Sequence, residues 1–470
     1  MRRRAAAALL AGAVPTATQA HSFGTPYILP VPLWMYGYGC AATLFVTFAL
    51  LAWFRHEPVT PVSEQTPESW RIAPALLWLL RAMAMALLAL TIWAGLAGVD
   101  DPNRNIAMTL FWVVFLLGLA WFTLLAGDVY SYTNPWASAV DLLERAGINL
   151  SAKRLPYPER LGCWPALLLY FALIYLELFT AATPELLAQA LLVYTGITLA
   201  GVGLFGKRVW FDKGDLFAVY FRLFGILAPI AWRRDEDGRW TVRLRSPLRG
   251  ALDETPGEIG MVLVVLFMLS STAFDSIHET ALWVGLYWTN TLELLLPLWD
   301  GDLGRAQTAL MEGYRIYRWL GLLVFPLGYV ALYWASLAIG RKLAPTVPPA
   351  GEAVRLFCNA LLPIAIAYNF AHYFAFAVAQ SASLPALLAD PLGTSIARPM
   401  PVPALPMGVI WHLQVGAILL GHVASVWLAH LMAVRATPEG RGAVISQLPL
   451  LVLMVAYTIF GLWILSLPLG

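Results

Sequence analysis

The residues best equipped for chemistry lie in two short stretches, Phe274-Asp275-Ser276-Ile277-His278-Glu279 and Tyr368-Asn369-Phe370-Ala371-His372-Tyr373, each inside or at the mouth of an apolar segment. An ionisable side chain in such a setting is expensive unless partnered, so it marks a functional site by default. Asp275, His278 and Glu279 are spaced i, i+3, i+4, and on a continuing helix they project from one face and share a cation or a proton. Neutral imidazole beside carboxylate oxygens suits zinc, copper, iron or manganese better than calcium. On the second stretch Tyr368 and Asn369 stand one turn before His372, and a third apolar segment contributes His412, His422 and His430.

Depth decides which of these can meet. At the α-helical rise, His412 falls about 8 Å and His372 about 12 Å below the outer ends of their segments, and Asp275 to Glu279 sit at an outer end. His422 is about 15 Å deeper than His412, with His430 near the opposite surface. The three histidines of that segment therefore cannot form one site, whereas Asp275, His278, Glu279, His372 and His412 can. The resulting expectation is a divalent metal on His278, Asp275 and His372, with Glu279 and His412 moving protons.

The elements that must hold these residues are membrane helices. Of 470 residues 60% are apolar and only 12% charged, about half the charge of an ordinary soluble domain. The N-terminus, with Arg2-Arg3-Arg4, an apolar run from Ala5 to Ala17 and Thr18-Gln19-Ala20, reads as a signal peptide over residues 1–20. Cleavage there leaves His21 as a free terminus whose amino group and imidazole can chelate copper and reach the outer site. Cys40, Cys163 and Cys358 each sit in apolar sequence without metal or disulfide spacing.

Ten apolar segments are long enough to span: 32–54, 74–98, 106–127, 162–182, 186–206, 257–276, 318–339, 355–380, 407–434 and 445–467. With the mature N-terminus outside, the inward connections hold twenty-one Lys and Arg and the outward ones five, Arg104, Arg305, Arg315, Arg318 and Arg398. Basic residues gather on the cytoplasmic side, so an all-α bundle of residues 21–470 with both ends outside is expected. The expected setting is a bacterial inner membrane with a periplasmic N-terminus. Arg81 and Glu177 are further buried charges that pair with each other, reach for an interface or face a neighbour's backbone.

The connections carry their own expectations. In the basic inward loop 207–256, Asp212 to Pro229 reads as a helix lying in the interface. Trp232 to Arg245 reads as a hairpin around Asp237-Gly238 with its basic face on anionic headgroups. So small an element argues against nucleic acid. Outer loop 280–317 is aromatic and reads as a half-buried cap, and the prolines of outer loop 384–406 read as an extended connector. Asn134-Pro135-Trp136 reads as a turn and interfacial anchor before a short amphipathic helix.

No phosphate-binding glycine loop, nucleophile elbow or His-Glu-x-x-His helix occurs, and the halves show no internal repeat. The stretches Ala20-His21-Ser22-Phe23-Gly24, Leu29-Pro30-Val31-Pro32-Leu33-Trp34, Thr133-Asn134-Pro135-Trp136, Phe274-Asp275 and Ala371-His372-Tyr373-Phe374 resemble a group of bacterial polytopic membrane proteins labelled fenitrothion hydrolase. That resemblance implies hydrolysis of the aryl phosphotriester bond in an apolar organophosphate. One competing expectation is a metal-ion or small-solute transporter that loads at the same outer cluster and uses His422 and His430 as an inward path, and another is a structural or assembly subunit with no turnover.

Overall fold

A computed structural model describes residues 32–54, 69–152, 155–234, 240–299, 302–345, 347–395, 405–437 and 440–467. The signal sequence, His21 and the Asp237-Gly238 turn lie outside the described residues. Among those described, ten helices are long and apolar enough to cross a membrane, as the sequence leads one to expect. In chain order they are α1 (Leu33–Phe54), α2 (Pro74–Ala97), α3 (Ile106–Ala126), α5 (Trp164–Phe179), α6 (Pro184–Phe205), α8 (Ile259–His278), α10 (Leu303–Leu343), α11 (Leu362–Ser381), α12 (Met407–Ala436) and α13 (Gly440–Leu465). The three others used below are α4 (Pro135–Arg145), α7 (Leu216–Leu227) and α9 (Ala281–Leu295).

Helix α8 is the axis of the bundle. Every residue from Val264 to His278 is buried, among α5, α10, α11 and α13. Ser270, Ser271, Thr272, Asp275, Ser276 and His278 give the second half of α8 a polar surface that lipid cannot satisfy, so it packs inside the bundle. Burial also corrects the reading of 212–229 as an interfacial helix. In α7 nearly every side chain is buried, wedged against α3, α5 and α11, because twelve residues without a polar stripe cannot lie half in water. Its N-terminus is capped by Asp215, whose Oδ1 accepts from the Ala218 amide at 2.8 Å and whose Oδ2 accepts from the Tyr194 hydroxyl at 2.7 Å.

The hairpin expected after α7 is present as β2 (Ile230–Arg234) and β3 (Trp240–Leu244), and β1 (Ser69–Arg71) joins it to give the antiparallel order β1-β3-β2. Register pairs Trp232 with Val242 and Trp70 with Val242 from the other side. The sheet closes one end of the bundle, called the sheet end below. It is seated by Gly127, which leaves α3 at φ 79° and lets the chain run so close to the sheet that a methyl group there would strike Trp232. The Trp232 indole donates to the Ala126 carbonyl at 2.5 Å.

Three further readings change. Segment 280–317 is a helical hairpin, because α10 begins at Leu303 and runs for 41 residues, about 60 Å at the α-helical rise and twice a bilayer core. Its first turns pack on α9 through Tyr287, Trp288, Tyr314 and Tyr317, so the aromatic residues form a compact cluster, with Pro326 further along the helix. In the proline-rich connector, Leu384–Ala389 is a short helix with Pro385 in its first turn, where proline's missing N–H costs nothing. Trp136 is buried and donates to Thr195 at 2.8 Å, while Asn134 caps α4 through the Ala137 amide. The turn stands, but its tryptophan anchors helix to helix.

Candidate functional site

The polar centre forms where the far end of α8 meets α11. Asp275 Oδ2 accepts from two neighbours on α11, the His372 Nε2–H at 2.8 Å and the Tyr373 hydroxyl at 2.8 Å. The other imidazole nitrogen of His372, Nδ1, lies 2.9 Å from Ser276 Oγ. The Ser276 hydroxyl donates to the Thr272 carbonyl of its own helix at 2.8 Å, so it must rotate to offer its proton to His372. The chain Asp275, His372, Ser276 therefore orders a carboxylate, an imidazole and a hydroxyl in line, the arrangement by which a carboxylate fixes a tautomer and the imidazole takes a hydroxyl proton. With Nε2–H pointing at Asp275, Nδ1 is the basic nitrogen facing Ser276.

Helix geometry explains the meeting. Asp275 and Ser276 are successive residues, about 100° apart around α8, so both can flank one ring arriving from α11. Asp275 is 3% exposed and Ser276 8%, which keeps their hydrogen bonds in a low-dielectric setting where they are strong. Phe274, one residue before, turns toward α10 and packs on Phe325 and Trp283. Gly321 of α10 makes room for that ring, since a methyl group at Gly321 would strike Phe274 and approach Trp283 to 2.9 Å.

Further charges surround the chain. Glu177 of α5 lies 3.2 Å from the Tyr373 hydroxyl, so its partner is in the Asp275 cluster and not Arg81. Arg81 instead donates to the Tyr132 carbonyl at 2.8 Å and to Asp141 at 3.2 Å near the sheet end. Arg318, counted in the sequence as an outer-loop cation, lies within α10. It donates to the Leu178 carbonyl at 2.7 Å and stacks over Phe179. Glu279 follows the last residue of α8 as its C-cap. Burial, reinforced by the Asp275 charge and opposed by His372 and Arg318, pushes its carboxyl up to about 7.

Two expected members stand differently. His278 is buried within the cluster, but its Nδ1 is 2.7 Å from the Asp275 carbonyl and its ring stacks on Phe274. Asp275 and His278 lie one turn apart on α8, as their spacing predicts, with His278 Nδ1 3.9 Å from Asp275 Oδ1, and Glu279 follows as the C-cap. His412 is exposed and its Nδ1 faces Gly408 O of its own helix at 2.6 Å. On α12 the inward positions are Trp411, which is buried, and Gln414, which donates to the Ala371 carbonyl at 2.7 Å. The depth of His412 matches the cluster, but rotation about the helix axis takes it away. His422 and His430 are buried deeper in α12, with His422 Nδ1 on the Ile418 carbonyl at 2.8 Å and His430 edge-on to Phe48.

The donors placed here are bonded to one another. Both ring nitrogens of His372 are engaged by Asp275 and Ser276. Among the described residues no three His, Cys, Asp or Glu side chains converge as a ligand set.

Sequence reasoning names Asp275, His372 and Tyr373, but misses Ser276 and leaves the partner of Glu177 open. A serine within a membrane helix usually bonds back to its own carbonyl four residues earlier, so Ser276 carries little signal alone. Its position beside Asp275 is the available clue. Compared with protein-family models, curated proteins and solved structures, the chain shows no significant match.

Proposed function

We propose that this multi-pass membrane protein hydrolyses an apolar ester that reaches it from the bilayer, with the aryl phosphotriesters of the fenitrothion class as substrate by resemblance. The observation that carries the reading is the Asp275, His372, Ser276 chain at 2.8 and 2.9 Å. His372 Nδ1 takes the hydroxyl proton of Ser276 as Oγ bonds to phosphorus and the aryl oxide leaves. The imidazolium first gives that proton up to solvent; water then attacks the phosphoserine, its proton passing to His372 and on to the departing Oγ, and the phosphoryl group leaves as a diester. Asp275 is the positioning residue, holding the ring and stabilising the imidazolium. Glu279, with a carboxyl near 7, is suited to exchange that proton with solvent. The orientation that places this end at the periplasm follows from the basic-residue bias, and the membrane is a bacterial inner membrane.

The test is release of nitrophenolate from a nitroaryl phosphotriester by the purified protein in lipid nanodiscs. His372→Ala and Ser276→Ala should each lower turnover roughly 10²- to 10⁴-fold, the range of general-base catalysis. Turnover retained in Ser276→Ala would sink the assignment of the nucleophile, and an inactive wild type would sink the hydrolase. A second reading, proton-coupled transport, is favoured by Glu177, whose contact with Tyr373 brings a second carboxyl into the same network. It requires solute flux that fails in His422→Ala, a substitution the hydrolase tolerates.

A further inference from the structure

The sheet end carries a second constellation, unrelated to the Asp275 centre. A polar cavity of about 430 Å³ is lined by Arg81 of α2, Arg145 of α4, Lys207 just after α6, Arg234 of β2, and the carboxylates Asp141 and Glu144. Asp141 is shared by Arg81 at 3.2 Å and by Lys207. Trp78 holds the Arg145 guanidinium over its ring at 4.1 Å and that of Arg81 at 5.0 Å. Four cations against two carboxylates leave an excess of positive charge, and the ion pairs and the indole hold the guanidinium groups in place before any ligand arrives.

Against this cavity lies an apolar groove of about 710 Å³, whose wall includes Leu80, Met83, Leu87, Val114, Phe122 and Trp136. The two share a partition. Leu80 and Met83 line the groove on either side of Arg81, and Tyr132, whose carbonyl takes the Arg81 hydrogen bond, lines it too. From Leu80 to Thr91 the groove follows α2 for about 16 Å, close to half of a bilayer's hydrocarbon thickness. Met83, Leu87 and Phe122 remain exposed along it, so the groove opens sideways to lipid. On its other wall, Thr109–Leu119 of α3 is wound as a π-helix, a rare geometry that recurs at functional positions.

We infer that cavity and groove together are a binding site for one anionic phospholipid, its phosphate among Arg81, Arg145, Lys207 and Arg234 and an acyl chain along α2 and α3. A soluble anion would use the cavity and leave the groove idle, and a neutral lipid would do the reverse. An anionic lipid of the sheet-end leaflet matches both parts at the depth where they meet. The site stands whether or not the Asp275 centre turns over an ester.

The experiment is native mass spectrometry of the detergent-purified full chain with added phosphatidylglycerol, phosphatidylcholine of the same chains, or glycerol phosphate. The expected result is retention of phosphatidylglycerol well above the other two. Arg145→Gln with Arg234→Gln should weaken it about thirtyfold, from about fivefold per headgroup cation. Met83→Trp, which fills the groove, should weaken the long-chain lipid and leave glycerol phosphate unchanged. Equal retention of phosphatidylcholine overturns the charge argument, and glycerol phosphate binding as well as the lipid makes the cavity a soluble-anion site. Lipid-free thermal unfolding of each variant separates lost binding from lost fold, and unaltered phosphatidylglycerol retention in a folded double variant refutes the inference.

Discussion

Replacing Glu279 by glutamine should flatten the pH dependence of stability, and the size of the effect follows from the surroundings of the carboxyl. In the unfolded chain Glu279 titrates near 4.5, and in the fold near 7. Between those values the folded protein holds a proton that the unfolded chain has released. Stability therefore falls as pH rises from 4.5 through 7 and is flat above. A difference of about 2.5 on the pH scale, at 1.36 kcal/mol for each whole step, sets a ceiling of about 3 kcal/mol. It is reduced in practice because Glu279 keeps part of its surface in contact with solvent. The assay is denaturant or thermal unfolding in one detergent from pH 4.5 to 8.5, wild type beside Glu279→Gln. The variant should match the wild type at the acid end and exceed it above pH 7, where the wild type carries a charge crowded by Asp275. Parallel curves would show that Glu279 is hydrated and uncoupled, and the proton-exchange role assigned to it would fall with them.

Gly321→Ala should cost about 1 to 3 kcal/mol, the range for overpacking, because the new methyl meets the Phe274 ring; unfolding midpoints check this, and nitrophenolate release should drop as Phe274 and the stacked His278 move. Asp215→Ala removes the cap of α7 and strands the Tyr194 hydroxyl, at a cost of about 1 to 2 kcal/mol. The pH course supports the same experiment, since burial raises the Asp215 carboxyl to about 6; it therefore destabilises the fold as pH rises from 3.8 through 6, and Asp215→Asn should remove that slope. His412→Ala should leave turnover within about twofold of wild type, because that imidazole is exposed and bonded to its own helix; a large loss would return His412 to the site.

The spans are legible because a bilayer imposes a length on an apolar run, and that length shows in any one of them without its neighbours. Asp275 and His372 are legible for the complementary reason, that charge within such a run requires an explanation. What the sequence hides is azimuth and adjacency. Rise along an axis gives His412 the right depth, but whether it faces lipid or α11 depends on how α12 is packed. Arg81 and Glu177 invite pairing as the two isolated charges of their region. Arg81 is seven residues into α2 and Glu177 thirteen into α5, and their real partners, Asp141 and Tyr373, come from helices that only the fold brings near. Helix α7 misleads because an apolar run too short to span is equally compatible with a surface and with an interior. The aromatic cluster of α9 and α10 conceals a helical hairpin, since tyrosine and tryptophan are what an interfacial belt would contain as well.

Helix α8 sets a condition on biogenesis. It bears Ser270, Ser271, Thr272, Asp275 and His278 on a surface that the finished protein keeps wholly covered. The partners of Asp275 are 97 and 98 residues further along the chain. Synthesis therefore delivers α8 to the membrane before α10 and α11 exist to enclose it. Until they arrive, a carboxyl and several hydroxyls need shelter at the insertion machinery or against α5, which is already in place. The same contacts that organise the polar centre thus fix an order of assembly, and a chain truncated after α9 should be retained by the translocation apparatus or degraded, where one that includes α11 is released into the bilayer.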